Sequence, residues 1–333
     1  MANAPIMIEH DIDELDLIIY VIGYKDMGES IVFIIKDIDV PVFTMVIDSY
    51  QTDGNNYTIE ILRENNINNI DLLCWTHPDK DHTLGLDAII RDFCKQTIFV
   101  TPEGLRERLK NYPDEDASQM LAYIDETHSL RKEAHRHRVG VANAHEYTLV
   151  LTQPLVDIAG KKLMLDIKSL APIYSYVEYY KVHDDVDYAK NIYSIVLVVN
   201  IGGRKFAFTG DVEDRTIKYM DLEQIEDIFL LKVPHHTSDS SKRMWEYYNN
   251  RYEEQNKEIP LAMTSIYKRY GHPKPDMVSL YKTICHNFYC TSIKPDDIEH
   301  EYGYICYKSK ICSPINFETL QNNIDYFGLA GPL

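Results

Sequence analysis

The segment THPDKDHTLG at residues 76–85 concentrates side chains that can bind divalent metals. Imidazole nitrogens and carboxylate oxygens are the ligand types that hydrolytic metals use. Side chains two apart on an extended loop point the same way, so His77, Asp79 and Asp81 can converge. His82 can face a second ion where the chain bends into a predicted helix. The alternative is a solvated polar loop whose aspartates cap that helix.

Further candidate residues follow predicted strands later in the chain. Asp211 ends the strand FAFTGD. His235 and His236 follow the buried strand LLKVP, and His272 lies on the turn YGHP. Loops that follow strands can meet over one edge of a sheet, so we expect these residues to complete a metal site with residues 76–85.

Hydrophobic runs and periodic patterns place these residues at the ends of regular elements. Strands are predicted at Leu15–Tyr20, Ser30–Ile35, Pro41–Ile47, Ile70–Thr76, Thr97–Val100, Tyr147–Leu151, Leu163–Leu170, Ser194–Asn200, Lys205–Thr209, Ile228–Val233, Leu261–Ser265 and Gly303–Lys308. Helices are predicted at Tyr57–Asn65, Thr83–Phe93, Arg243–Gln255 and Met277–Cys285. This order predicts an α/β fold in which two sheets lie between helices, an αββα sandwich of four layers. We expect one domain over residues 1–333, with a helical insertion at about residues 102–189.

The composition restricts the partners and the compartment. The net charge of −18 opposes a protein that coats nucleic acid through a broad basic face. It does not exclude a phosphodiester substrate, because bound divalent cations would reverse the sign locally. No apolar run approaches the roughly 20 residues needed to span a bilayer, and the N-terminus lacks a signal peptide pattern. Six scattered cysteines without a CxxC pair indicate reduced thiols, so we expect a cytoplasmic protein.

Seven segments carry a family resemblance: Ile19–Val32, Val46–Asp48, His77–Leu86, Asn191–Val198, Phe208–Asp211, Leu231–Ser238 and Arg269–Pro275. They resemble motifs of the metallo-β-lactamase superfamily. The nearest branch is the domain of that fold in bacterial DNA-uptake (competence) channel proteins and its free-standing relatives. The LK-x-x-HH-x-S turn and the RYGHP segment are more specific than the metal loop. The resemblance implies the αββα fold, a hydrolase activity and a centre of two divalent cations.

The resemblance also implies roles for individual residues. Asp211 would bridge two cations, and of the two adjacent histidines His235, rather than His236, would be a ligand. The implied metal ligands are His77, Asp79, Asp81, His82, Asp211 and His235. A metal-bridged water would attack the substrate at a centre that includes Asp81, and His236 or His272 would donate a proton or hold a phosphate oxygen. The groups assigned to substrate binding are Lys232, Thr237, Ser238 and His272.

Two departures from the superfamily pattern bear on the choice of metal. The usual HxHxDH loop has Asp79 in place of its second histidine, as in the competence-type branch. The middle histidine ligand of the superfamily has no clear counterpart, and His183 is the nearest candidate. Both departures make the site richer in oxygen, which favours Mn²⁺ or Mg²⁺ more than an all-imidazole site would, with Zn²⁺ also compatible.

The function predicted from these observations is a metal-dependent phosphodiesterase or nuclease. The acidic composition favours a nucleotide, an oligonucleotide or a single-stranded nucleic acid over long duplex. A hydrolase of esters, thioesters or lactams would use the same kind of centre. A weakly catalytic regulatory module paired with another protein is the third hypothesis, and such a module should bind metal poorly.

Overall fold

The computed structural model describes residues 4–111, 114–134, 140–182, 190–294, 297 and 299–333. Its strands are β1 (Ile6–Ile8), β2 (Asp16–Tyr24), β3 (Glu29–Asp37), β4 (Val40–Ile47), β5 (Leu72–Cys74), β6 (Ile98–Pro102), β7 (Gly140–Ala144), β8 (Leu149–Asp157), β9 (Lys162–Ala171), β10 (Val196–Ile201), β11 (Arg204–Phe208), β12 (Ile228–Lys232), β13 (Ile259–Thr264), β14 (Cys285–Cys290), β15 (Tyr302–Lys310), β16 (Ile324–Gly328) and β17 (Gly331–Pro332). Its helices are α1 (Tyr57–Glu64), α2 (Lys80–Thr83), α3 (Leu86–Phe93), α4 (Leu105–Asn111), α5 (Glu115–Ala134), α6 (Tyr174–Val182), α7 (Asp214–Ile217), α8 (Lys242–Glu253) and α9 (Pro275–Tyr281).

The strands form two sheets of mixed direction. The larger sheet has the order β1-β8-β9-β10-β11-β12-β13-β14-β17, and the smaller has the order β16-β15-β2-β3-β4-β5-β6-β7. Strands β11, β12 and β13 run parallel in the larger sheet, as do β4, β5 and β6 in the smaller. Parallel strands bring their carboxyl ends to one edge, and the loops that follow these strands carry the candidate site residues.

Apolar side chains from the inner faces of the two sheets form the central core. The Phe33 ring of β3 lies 6.0 Å from that of Phe206 and 6.4 Å from that of Phe208, both on β11, in edge-to-face geometry. Burial of such rings away from water is a principal stabilising contribution, and the edge-to-face geometry adds to it. The two sheets are therefore joined face to face by a packed layer.

Helices cover the outer face of each sheet. Helix α3 buries Leu86, Ile89, Ile90 and Phe93, a spacing that puts all four on one helix face against the smaller sheet. Helix α8 contributes Tyr248 to the corresponding layer outside the larger sheet. The succession of helix, sheet, sheet and helix confirms the predicted αββα sandwich, the arrangement that the family resemblance implied.

Several details differ from the sequence-based expectations. The segment 102–189, predicted as a helical insertion, contains helices α4, α5 and α6 and also strand β7, which was not predicted; strands β8 and β9 overlap the strands predicted at Tyr147–Leu151 and Leu163–Leu170. The helix predicted over Met277–Cys285 ends at Tyr281, and the chain enters strand β14 at Cys285. Strands β1, β16 and β17 were not predicted, because they are short edge strands without a clear hydrophobic alternation.

All six cysteines are free thiols, as the sequence predicted. Among the described residues, the helices are too short or too polar to traverse a bilayer. His183 and the rest of residues 183–189 lie outside the described part of the chain.

Candidate metal centre

Four buried side chains meet where strand ends from both sheets approach each other. Asp81 and His82 lie in helix α2 after β5, Asp211 follows β11, and His236 follows β12. Their ligand atoms all lie within 4.8 Å of one another. The Nε2 atom of His236 lies 3.2 Å from Oδ2 of Asp81 and 3.2 Å from Oδ2 of Asp211. The Nε2 atom of His82 lies 3.5 Å from an oxygen of each carboxylate.

His77 and Asp79 join this cluster on the side of Asp211. The Nε2 atom of His77 lies 3.6 Å from Oδ2 of Asp79 and 3.8 Å from Oδ2 of Asp211. Both Asp211 oxygens therefore face imidazole nitrogens, with Oδ1 towards His82 and Oδ2 towards His77. The central position of this carboxylate suits a ligand shared by two cations.

Atoms that point into the cluster lack hydrogen-bond partners among the described residues. They are Nε2 of His77, Oδ2 of Asp81, Nε2 of His82, Oδ1 of Asp211 and Nε2 of His236. A buried polar atom without a partner costs about 1–3 kcal/mol, so five in one place need a compensating group. Nitrogen and carboxylate donors of this kind fit divalent cations.

Asp48 orients two of the histidines. Its Oδ2 accepts a hydrogen bond from Nδ1 of His82 at 2.7 Å. The same oxygen accepts from the Thr76 hydroxyl at 2.5 Å, and that hydroxyl lies 2.9 Å from Nδ1 of His77. Because each Nδ1 atom is hydrogen-bonded on the side away from the cluster, each Nε2 atom faces the cluster. Such outer partners fix the ring orientation and the tautomer of metal-binding histidines.

The other two histidines are oriented through serine hydroxyls. Nδ1 of His236 lies 2.7 Å from the hydroxyl of Ser265, which donates to a carboxylate oxygen of Glu29. Nδ1 of His235 lies 2.9 Å from the hydroxyl of Ser240, which donates to Oε1 of Glu213 at 3.4 Å. All four histidines around Asp211 thus present Nε2 to the same space.

A strained turn carries the two adjacent histidines. His235, His236 and Thr237 have φ angles of 47°, 50° and 62°, the left-handed region that residues other than glycine seldom adopt. Three consecutive residues in this region cost conformational energy that the surrounding contacts must offset. The turn directs both imidazoles towards Asp211. The sequence favoured His235 as the ligand, but Nε2 of His236 is closer to Asp211, at 3.2 Å against 3.9 Å.

Lys232, predicted to bind substrate, lies beneath the centre instead. Its side chain is fully buried, and its ammonium lies 2.8 Å from Oε1 of Glu29 and 3.8 Å from Oδ1 of Asp211. It also donates to the carbonyl of Gly210 at 3.1 Å. Because this side chain has no exposed surface, the structure does not bring it into the predicted contact with a substrate. Lys232 supplies a buried positive charge beside the carboxylates.

Thr237 and Ser238 are likewise buried, although the sequence assigned both to substrate binding. The Thr237 hydroxyl donates to the hydroxyl of Thr264 at 2.9 Å. The Ser238 hydroxyl accepts from the Ser240 amide at 3.2 Å and lies 3.1 Å from the hydroxyl of that residue. The turn directs both hydroxyls into the protein interior, where these hydrogen bonds stabilise the turn.

His272 lies next to the cluster, on its His235 side. The two ring centroids are 5.5 Å apart, and Nδ1 of His272 is buried without a partner among the described residues. Burial, together with the nearby His235, His236 and Lys274, lowers the pKa of His272 to about 4. A histidine that is neutral at neutral pH can donate a hydrogen bond to a substrate oxygen, but it does not serve as a general acid.

The chain just before β10 contacts the centre, which the sequence did not predict. The Lys190 ammonium lies 3.4 Å from Oδ1 of Asp79. The Asn191 amide donates to Oε1 of Glu213 at 3.3 Å and lies 3.5 Å from Nε2 of His235. Asn191 begins one of the motifs that carry the family resemblance, which was the only available signal.

Charge attraction among the protein groups opposes the effect of burial. Burial alone would lower the pKa of His236, but Asp211 and Asp81 raise it to about 9. Burial also acts against the charged form of His82, and the surrounding carboxylates raise its pKa well above the usual value. Conversely, His77 and Lys190 outweigh burial and lower the pKa of Asp79 to about 2. The carboxylates therefore attract positive charge strongly, which a divalent cation would satisfy in place of protons.

Similarity to known proteins was found among solved structures. No protein-family model matches the chain, and a search of curated proteins found no match. Among solved structures, a diphosphatase from the PhnP family is 12% identical over 73% of this chain and 85% of its own, with a TM-score of 0.34. A metallo-β-lactamase superfamily protein from Sulfolobus tokodaii is 11% identical over 80% of this chain and 85% of its own, with a TM-score of 0.32. Zn²⁺-bound PqqB from Methylobacterium extorquens is 11% identical over 62% of this chain and 59% of its own, with a TM-score of 0.30. The αββα assignment rests on the strand order and layering given above.

Proposed function

We propose that the protein is a metal-dependent hydrolase that cleaves phosphodiester bonds in a nucleotide or in single-stranded nucleic acid. The observation that carries this proposal is the group of buried, unpartnered donor atoms around Asp211. Groups that are buried and unsatisfied at such cost are typical of functional sites. A regulatory module that had lost its metal would not need to keep this set intact.

The donor set divides into two parts around Asp211. His77 and His235 lie 3.8 Å and 3.9 Å from its Oδ2, with Asp79 beside His77. Asp81, His82 and His236 form the tighter cluster, in which His236 lies 3.2 Å from the same oxygen. We assign the first part to one cation and the second to the other, with Asp211 shared. His236 thus takes the place that the sequence gave to His235. When bound, two such cations polarise a phosphoryl oxygen and lower the pKa of a water molecule. The mixed donors suit Mn²⁺ or Zn²⁺, with Mg²⁺ also compatible.

The open side of the centre favours an anionic substrate. His77, His82 and His236 have no exposed side-chain surface, whereas Asp79 is 32% exposed and His235 is 15% exposed. A substrate therefore enters on the side of Asp79 and His235. The neutral His272 imidazole, whose Nδ1 has no partner among the described residues, is available there to contact a phosphate oxygen, and the Asn191 amide lies beside His235. Groups of this type hold phosphate in an otherwise acidic protein.

Three wider expectations remain proposals. The motifs favour a relationship to the competence-type branch of the metallo-β-lactamase superfamily. A protein partner and a cytoplasmic location are predictions from the sequence. An ester, thioester or lactam substrate is the competing hypothesis, because the same centre could activate those bonds.

The test is hydrolysis of bis-p-nitrophenyl phosphate by protein stripped with a chelator and then supplied with Mn²⁺, Zn²⁺ or Mg²⁺. We expect activity to return with metal and to be lost in Asp81→Ala. Asp116→Ala, which removes an exposed carboxylate of α5, is the matched control and should retain activity. Metal binding without this activity would favour ester or thioester substrates. Absence of metal binding would favour the regulatory module.

A further inference from the structure

Asp79 differs from the other proposed ligands in how it is held. The four histidines are oriented by carboxylates, directly or through hydroxyls, whereas Asp79 is partly exposed in the loop before helix α2. One of its oxygens, Oδ2, faces Nε2 of His77 at 3.6 Å. The other, Oδ1, lies 3.4 Å from the Lys190 ammonium.

Lys190 holds the backbone of the same loop. Its ammonium donates to the carbonyl of Pro78 at 3.0 Å, one residue before Asp79. Five residues later along the chain, the amide of Ile195 donates to the carbonyl of Thr76 at 3.1 Å. The segment 190–195 therefore runs alongside the metal loop and is bonded to it at both ends.

The third contact of Lys190 is with the start of helix α5. The ammonium lies 2.8 Å from Oδ2 of Asp114. The other oxygen of Asp114 accepts from the Ala117 amide at 3.0 Å and so caps the helix. Asp114 thus uses one oxygen to begin the helix and the other to hold Lys190.

We infer that Lys190 and Asp114 form a clamp that positions Asp79 for cation binding. Through Asp114, the helical part of segment 102–189 then contributes to the metal centre. The inference rests on the proposed metal centre. With Oδ1 of Asp79 held by Lys190, Oδ2 is left to face His77 and the open side. Lys190 is a positioning residue, since it acts through Asp79.

The chain offers a matched control for breaking this clamp. Arg106 of α4 forms a paired contact with Asp125 of α5, at 2.5 Å and 2.7 Å, in the same helical segment. Arg106→Met removes an ion pair from the same helical segment without touching Asp79. Lys190→Arg keeps the positive charge, and Asp114→Asn keeps an oxygen for the helix cap while removing the charge that holds Lys190.

The first measurement is Mn²⁺ binding by titration calorimetry. We expect the wild-type protein and Arg106→Met to bind two ions. Lys190→Met and Asp114→Asn should bind one of the two at least tenfold more weakly, and Lys190→Arg should restore much of the loss. Unchanged binding in Lys190→Met would overturn the clamp and leave the metal centre standing. Absence of binding in the wild-type protein would overturn both.

The second measurement does not depend on metal. In chelator, hydrogen exchange of residues 77–84 should be faster in Lys190→Met than in the wild-type protein, because the loop loses its bonds to Lys190. Arg106→Met should leave exchange in that segment unchanged. Equal exchange in Lys190→Met and the wild-type protein would overturn the clamp whatever the metal result.

Discussion

Oδ2 of Asp48 lies 2.7 Å from Nδ1 of His82, and the opposite ring nitrogen of that histidine faces Asp81 and Asp211. The same oxygen reaches His77 through the Thr76 hydroxyl. One carboxylate outside the cluster therefore sets the orientation of two proposed ligands. The order of the chain explains this, because Asp48 directly follows β4 and the metal loop follows the neighbouring parallel strand β5.

Asp48→Asn should weaken metal binding without removing a ligand. The carboxylate accepts through both oxygens, Oδ1 from the Thr76 amide and Oδ2 from the Thr76 hydroxyl and His82, and asparagine would put an NH₂ donor in place of one of them. We expect affinity for Mn²⁺ or Zn²⁺ to fall about 10–100-fold, the usual effect of removing such a partner. Calorimetric titration of the variant checks this. The matched control is Asp37→Asn, since Asp37 is also buried and accepts from a backbone amide and a histidine, far along β3 from the centre. Equal losses in both variants would show that a general effect on folding is responsible.

Lys232→Met should lower the free energy of unfolding, and it should change the open side of the site little. The ammonium and Glu29 form a fully buried ion pair. Removing one partner leaves the other charge uncompensated, which costs about 3–5 kcal/mol. Urea unfolding of the protein in the presence of chelator measures the loss of unfolding free energy. The double variant Glu29→Gln, Lys232→Met should recover part of it, because no isolated charge remains. A double variant as unstable as the sum of the two single variants would contradict this pairing.

His236→Ala and His235→Ala should differ in their effect on metal binding. His236 lies in the buried cluster with Asp81 and Asp211, at 3.2 Å from each. His235 approaches Asp211 at 3.9 Å and is partly exposed. We expect the larger loss of affinity in His236→Ala, measured by equilibrium dialysis at saturating and limiting Zn²⁺. The reverse order would restore the assignment made from the sequence.

The sequence predicted the metal loop, Asp211 and the His-His turn because these residues are close in sequence or directly follow strands with clear patterns. Glu29 and Lys190 could not be found in this way, since each meets the centre only through the packing of distant elements. The burial of Thr237 could not be predicted either, because its left-handed backbone, which turns the hydroxyl inwards, leaves no mark in the local sequence. Local pattern thus indicated which residues bear the chemistry, and the tertiary structure decides which of them face the opening.

The dependence of stability on pH should reverse when metal is added. In chelator, the carboxylates raise the pKa of His236 from its usual 6.5 to about 9. A raised pKa in the folded state stabilises the protein fully below pH 6.5, and this contribution is lost as the pH rises through 9. Its upper limit is about 3 kcal/mol. We therefore expect the melting temperature of chelated protein to fall by several degrees between pH 6.5 and 9.

With Zn²⁺ or Mn²⁺ present, protons and cations compete for the same imidazole nitrogens, so binding strengthens as the pH rises. The stabilisation by metal should then be larger at pH 9 than at pH 6.5. Thermal unfolding followed by circular dichroism at the two pH values, with chelator and with metal, measures both slopes. His236→Gln should flatten the slope seen in chelator, because the titrating group is gone while a polar side chain of similar reach remains. A melting temperature of chelated wild-type protein that rises over this range would show that the carboxylates around Asp211 do not hold protons on His236.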